Sequence, residues 1–176
     1  ISGRYYYWVC IRKICMAVDV KKLYQEIASD EGKVLHVYRC TEGHPTVGIG
    51  HKVLHTDPEA NLPVRDAYDG APQEDSITEH RCYELFQEDV HIAIDGCRKI
   101  YSNWEELPQE AQHVLVNMCF QLGQGNLTKF KHMNKAVEAQ AWGQVALEMV
   151  DSRWAMAQTP ARAHRLKIRM LALADT

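Results

Sequence analysis

The 176-residue chain has no long hydrophobic run; its longest is seven residues, Tyr5 to Ile11. A bilayer-spanning helix needs about 20 such residues, so no membrane-inserted segment is expected. There is no C-x-x-C pair among its six cysteines and no His/Cys cluster with zinc-finger spacing, which argues against a structural zinc module or a dithiol redox motif. Repeats and low-complexity tracts are absent, which excludes solenoids and fibrous arrays. Neither sign of charge dominates: the net charge is −3 and the pI about 6.3, unlike a generic nucleic-acid binder. What remains is an ordinary globular mix, 46% hydrophobic and 24% charged, long enough for a core that needs no disulfide or metal.

The charge is unevenly spread. Residues 56–90 hold ten acids against Arg65 and Arg81, whereas residues 152–174 hold Arg153, Arg162, Arg165, Lys167 and Arg169 and no acid. Solvated faces are the plain reading; a basic wall for an anionic polymer is the sharper one. Cys82, Cys97 and Cys119 fall on apolar helical faces and behave as small hydrophobes. Residues 1–15 carry no cleavage signal of the secretory type, and Met16 opens a segment suited to a helix start. They are therefore expected to be an extension outside a domain spanning 16–176, and the cysteine usage points to a reducing, cytoplasmic site of synthesis.

Periodicity predicts a helix over 19–31, capped by Asp19 and stopped by Gly32, with Val20, Leu23, Tyr24 and Ile27 inward. Alternation over Lys33 to Arg39 and a short β-type run from Thr46 to Ile49 then predict a β-hairpin around the turn Thr41-Glu42-Gly43-His44-Pro45. Residues 54–76 read as a long acidic loop. From Thr78 the pattern is helical: a long helix to about Ile100, capped by Thr78 and stapled by Ile77 and Cys82, with Leu85, Phe86, Ile92 and Ala93 on one side. A second follows Pro108 with Ala111, Val114, Leu115, Met118 and Leu122 inward, and others cover about 126–137 and 141–152. A last helix is capped by Thr159 and opened by Pro160, with Ala163, Leu166, Met170 and Leu173 inward. The class is α+β: a small hairpin lobe (about 31–78) joined by a long helix to a helical C-terminal lobe (about 79–176, with the first helix 19–31).

One stretch combines groups able to do chemistry. Glu31 stands at a helix end; eight residues separate it from Cys40, and five separate Cys40 from Thr46. A half-buried carboxyl at a helix C-terminus faces desolvation and the negative end of the helix dipole, both of which favour its protonated form. An acid of that kind protonates a leaving oxygen in acetal cleavage. A hydroxyl such as Thr46 holds a water; a thiol such as Cys40 either orients it or attacks as thiolate.

The blocks Asp30-Glu31-Gly32, Thr41-Glu42-Gly43, Thr46-Val47-Gly48-Ile49-Gly50-His51, Leu85-Phe86-Gln87-Glu88-Asp89, Asn117 to Gly123, Ser152-Arg153-Trp154 and Gln158-Thr159-Pro160 with Arg162 occur in this order. In them the chain resembles the phage-type lysozymes (muramidases) of glycoside hydrolase family 24, the family of T-even endolysins and the baseplate lysozyme module. The resemblance implies a lysozyme-like fold and hydrolysis of the β-1,4 bond between N-acetylmuramic acid and N-acetylglucosamine. It implies Glu31 as general acid, and Thr46 with Cys40 at the attacking water in an inverting reaction; the family tolerates Asp or Cys at position 40. It places Thr41, Glu42, Phe120 and Gln121 at the substrate and Arg162, Asp30 and Arg165 in a charge network with Glu31. His51 and Asp89 would form a buried ion pair between the hairpin lobe and the long helix. No cofactor or metal is implied, and His44, His51 and His55 lack a metal-site pattern. The expected partner is the peptidoglycan glycan strand, bound by a monomer acting in host lysis; a tail-associated wall-digesting module and a non-catalytic wall-binding relic are the alternatives.

Overall fold

The computed structural model describes residues 18–175. The extension expected over residues 1–15, with Cys10 and Cys15, lies outside the described residues. The order is α1 (Val20–Glu31), β1 (Val34–Arg39), β2 (Pro45–Gly48), β3 (His51–Lys52), two 3-10 turns (Pro58–Asn61, Gln73–Asp75) and α2 (Glu79–Ile100). Then come α3 (Gln109–Leu122), α4 (Gln124–Leu127), α5 (Lys131–Glu138), α6 (Trp142–Val150), a π-helical turn (Trp154–Gln158) and α7 (Pro160–Ala174). The fold is α+β, helices with one small antiparallel sheet. The chain divides into two compact units, Val20–Ile92 and a helical one running on from Ala93. The sequence reading grouped the first helix with the helical lobe; its own contacts group it with the sheet.

In the first unit, α1 buries Leu23 and Ile27 completely, a stripe one turn apart. Either one cut to alanine costs about 2–5 kcal/mol. Tyr24 sets its ring edge-on against Tyr83 and Phe86 of α2, with centroids 5.0 and 5.2 Å apart. Gly32 (φ +78°) ends the helix in the left-handed conformation, its N–H donating to the Ala28 carbonyl. The sheet has order β1-β2-β3, with Tyr38 opposite Thr46 and Arg39 opposite Pro45; the third strand, two residues long, was not expected. Gly48 (φ +66°) leaves room for the end of α2: a Cβ there would lie 3.2 Å from Cys82 Sγ and 3.9 Å from Ile77 Cδ1. The Thr78 hydroxyl caps α2 by accepting the Arg81 N–H at 3.0 Å.

The acidic excursion is more ordered than its composition suggests. Its backbone covers the outer edge of β1: the Arg65 N–H donates to the Val37 carbonyl and the Ile77 N–H to the Leu35 carbonyl. Several charges are used up inside it. Arg65 pairs with Asp75, Arg81 with the buried Glu59 at 2.7 Å, and His36 Nε2 lies 2.8 Å from the Asp66 carbonyl. An edge strand with unpaired backbone groups is a liability, and here the excursion covers it.

In the helical unit, α3 is buried on every side from Ala111 to Cys119. It therefore carries three buried polar side chains, each with a partner, as burial demands. Gln112 donates to the Trp104 carbonyl (2.7 Å), His113 Nε2 accepts the Asp19 N–H (3.0 Å), and Asn117 Oδ1 accepts from Arg162 Nε (2.7 Å). Three expectations need correction here. The helix predicted over 126–137 is broken between α4 and α5, because the Asn134 side chain takes the Leu127 carbonyl (2.9 Å) and Phe130 leaves the helical region (φ −77°, ψ 57°). Ile92 is exposed; the inward stripe of α2 runs instead through Val90, Ala93, Ile94 and Cys97, spaced i, i+3, i+4, i+7. Thr159 opens α7 but makes no capping bond, its hydroxyl lying 3.5 Å from Gln121 Oε1.

Candidate active site

β1 ends at Arg39 and the chain reverses over Cys40 to Gly43. The Gly43 N–H donates to the Cys40 carbonyl at 2.8 Å, and the Cys40 N–H to the His44 carbonyl at 3.0 Å. Gly43 has φ +81°, a conformation costly for any residue with a side chain. Arg39 Nη1 closes the turn by donating to the Gly43 carbonyl at 2.9 Å. Thr46, the first residue after Pro45, is buried and directs its hydroxyl at the His44 carbonyl, 3.0 Å away.

The Cys40 sulfur is half-buried in this turn. Burial raises its pKa, but hydrogen bonds from the backbone N–H groups of Glu42 and His44 and from the Thr46 hydroxyl outweigh it, against the opposing charge of Glu42. The thiol therefore ionises below the ordinary cysteine value. The geometry is the one by which a short acidic side chain accepts the N–H two residues on in a turn; a carboxylate and a thiolate suit it equally. Thr46 has one proton for two acceptors, the His44 carbonyl and the sulfur.

Tyr38 stands opposite Thr46, so those two share a face, and Cys40 follows two residues later in the turn just past the end of β1. Burial raises the Tyr38 pKa, and the charges of Cys40 and Glu31 raise it further. The charges of both groups bear on this phenol, which sequence reasoning overlooked. The only signal available was alternation along β1, which no motif flagged. Glu31 is the last residue of α1 and is exposed, not half-buried as expected. An amphipathic helix buries its middle turns, and the chain leaves at Gly32 before the last carboxyl is covered. Asp30 beside it is partly buried, while Thr41 and Glu42 are exposed at the turn.

His51, the first residue of β3, is buried with its Nδ1 2.8 Å from Asp89 Oδ2 on α2 and its Nε2 3.3 Å from Asp57 Oδ2. Burial lowers the imidazole's pKa, but the hydrogen bond and charge of Asp89, joined by Asp57, raise it above the ordinary value. Asp57, an unforeseen partner, is held below the usual carboxylate range first by the Leu54 N–H (2.6 Å), despite some burial, and then by His51.

The remaining expected residues sit in the helical unit. Phe120 and Gln121 occupy the less buried end of α3, so Phe120 is not a core residue. Gln121 Oε1 accepts from Trp154 Nε1 at 2.9 Å. Arg162 is buried and bonds both the side chain and the carbonyl of Asn117, and Arg165 is exposed. The supposed basic wall is thinner than it looked, since Arg162 is buried and Arg169 pairs with Glu110. A cavity of about 520 Å³ in this unit is lined by Lys129, Phe130, Lys131, Glu148, Arg153 and Trp154 among others, and by none of Glu31, Cys40 and Thr46. Among the described residues no cluster of His, Cys, Asp and Glu is arranged to hold a metal ion, and no helix is long and apolar enough to cross a membrane.

A family model described as Phage lysozyme matches residues 28–169, a span that takes in the Cys40 turn, the His51–Asp89 pair and α3. The chain belongs to the phage lysozyme family. It is therefore a lysozyme, a glycoside hydrolase acting on peptidoglycan. The family's relatives include Probable T4-type lysozyme 2 of Dictyostelium discoideum, 31% identical over 160 residues, or 84% of this chain and 92% of that protein. Probable T4-type lysozyme 1 of the same organism is 31% identical over 151 residues, 78% and 86% of the two chains. The Pre-baseplate central spike protein Gp5 of Enterobacteria phage T4 is 33% identical over 159 residues, 81% of this chain but 26% of that protein.

Proposed function

We propose that this lysozyme cleaves the β-1,4 bond between N-acetylmuramic acid and N-acetylglucosamine, with Glu31 as general acid and Cys40 with Thr46 holding the attacking water. The observation that carries the reading is the Cys40 turn, where backbone N–H groups and the Thr46 hydroxyl favour the anion of the thiol, and Thr46 is paired across the sheet with Tyr38. A water between a thiolate and the Thr46 oxygen donates a hydrogen to each, and as its oxygen bonds to the anomeric carbon one of those protons passes to the thiolate. The thiolate also opposes the positive charge that develops on the sugar in the transition state. Glu31 protonates the departing oxygen, and a glycan lying over this exposed carboxyl would strip it of water. Phe120 and Gln121, with Thr41 and Glu42, would contact the glycan. Arg162, Asp30 and Arg165 would belong to the charge network with Glu31.

Glu31→Gln tests the reading. It should lower the rate of wall clearing by at least about 10³-fold, in keeping with loss of a general acid, while leaving the far-UV spectrum and Tm nearly unchanged. Residual activity within about tenfold of the parent would overturn the assignment. The proposed setting is host-cell lysis. The similarity to Gp5 favours a second setting, local wall digestion by a tail-associated module; tight co-purification with assembled virions would select it.

A further inference from the structure

We propose that Tyr38 is a substrate-contacting residue, a neutral hydrogen-bond donor to a sugar oxygen, set on the sheet face between Glu31 and the Cys40–Thr46 pair. The inference rests on the catalytic reading above and adds a residue to it. Three observations place it. Tyr38 is the cross-strand partner of Thr46. Directly opposed residues of an antiparallel pair stand side by side on one face, with Cβ atoms about 4.5–5.5 Å apart. Cys40 follows two residues later, in the turn that β1 runs into. Tyr38 is only partly buried, so part of it stays open to solvent.

The chemistry of the group distinguishes it from its neighbours. A thiolate only accepts hydrogen bonds, and the Thr46 proton is claimed by the His44 carbonyl or by the sulfur. A glycan, however, brings acceptors of its own, the acetamido carbonyl and ring-substituent oxygens. A donor that stays protonated beside two anionic groups supplies what they lack. The phenol does so because burial and both neighbouring charges hold its proton on, and an ammonium or guanidinium there would instead stabilise Glu31 as the anion.

Binding of a soluble peptidoglycan tetrasaccharide, measured by calorimetry in the Glu31→Gln background, tests the contact apart from turnover. Tyr38→Phe in that background should weaken binding by roughly tenfold, the usual effect of losing one hydrogen bond to a neutral donor. In the otherwise unaltered enzyme it should lower kcat/KM by a similar factor, without displacing the pH profile and with Tm unchanged. Equal affinity of the Phe and Tyr forms for the saccharide would overturn the proposal. So would a displaced pH profile with unaltered saccharide binding, because the phenol would then act through Cys40 or Glu31 and not on the sugar. Because the binding readout needs no catalysis, failure of the general-acid assignment and failure of this contact give different results.

Discussion

The first unit and the helical unit hold themselves together by different means, and their thiols report the difference. Around the sheet, short strands are fixed by charge: His51 with Asp89 and Asp57, Arg81 with Glu59, Arg65 with Asp75. In the helical unit, α3 is enclosed by apolar side chains, and its few polar groups serve as buried partners. Cys40 lies in a turn whose N–H groups favour its anion. Cys97, in the interior, is held well above the ordinary value by its hydrogen bond with Cys119 and by burial. Backbone N–H groups favour the anion at the turn, whereas Cys97 is pushed up by its bond with Cys119 and by burial, and that same bond lowers Cys119 despite its burial. The lesson is that thiol chemistry here follows the hydrogen bonds each sulfur makes.

The largest test of that contrast is alkylation. Iodoacetamide near neutral pH should modify Cys40 well before Cys82, Cys97 or Cys119 and abolish wall clearing, and Cys40→Asp should remain active under the same treatment. Peptide mapping that found a buried thiol modified first would break the comparison. The Cys40→Asp variant also sharpens it. Activity that needs the anion is lost as pH falls through the pKa of the group at position 40. The acid limb of the rate profile should therefore move down into the carboxylate range, near about 4. If the sulfur were a covalent nucleophile, the same variant would instead lose activity.

Stability should separate the regions next. Because the folded-state pKa of His51 is raised, its pairing contributes fully below the unfolded value of about 6.5 and is lost as pH rises through the folded value. Asp89→Asn should therefore cost about 2 kcal/mol near pH 5–6 and distinctly less near pH 9, measured by urea unfolding at both pH values. A cost independent of pH would remove the charged pair from the account. The smallest effect falls on the thiols themselves: Cys97→Ala should cost about 1 kcal/mol, and Cys40→Ala under about 0.5 kcal/mol, despite its larger effect on activity.

Much of the architecture was legible because local rules agree with one another. The α1 stripe, the glycine stop at Gly32, the Thr78 cap and the hairpin turn all appear where periodicity and turn chemistry put them. Helix breaks and pairings set by distant groups were not legible. Asn134 reaching back to Leu127 splits a helix whose pattern is continuous, and Arg65 and Ile77 pair with β1 across a stretch whose composition reads as loose loop.

The order of residue types alone determined the class of fold and the small set from Glu31 to Thr46 that has the means for glycoside chemistry, since these depend on spacing and on side-chain kind; the His51–Asp89 pair was implied by the family resemblance. Only the tertiary structure decided that Glu31 is exposed, that Asp57 joins His51, that Arg162 is buried against Asn117, and that Tyr38 stands opposite Thr46. Those outcomes turn on burial, register and hydrogen bonds between residues far apart in the chain, where a single missing or added backbone contact changes which face a side chain meets and how firmly it holds a proton.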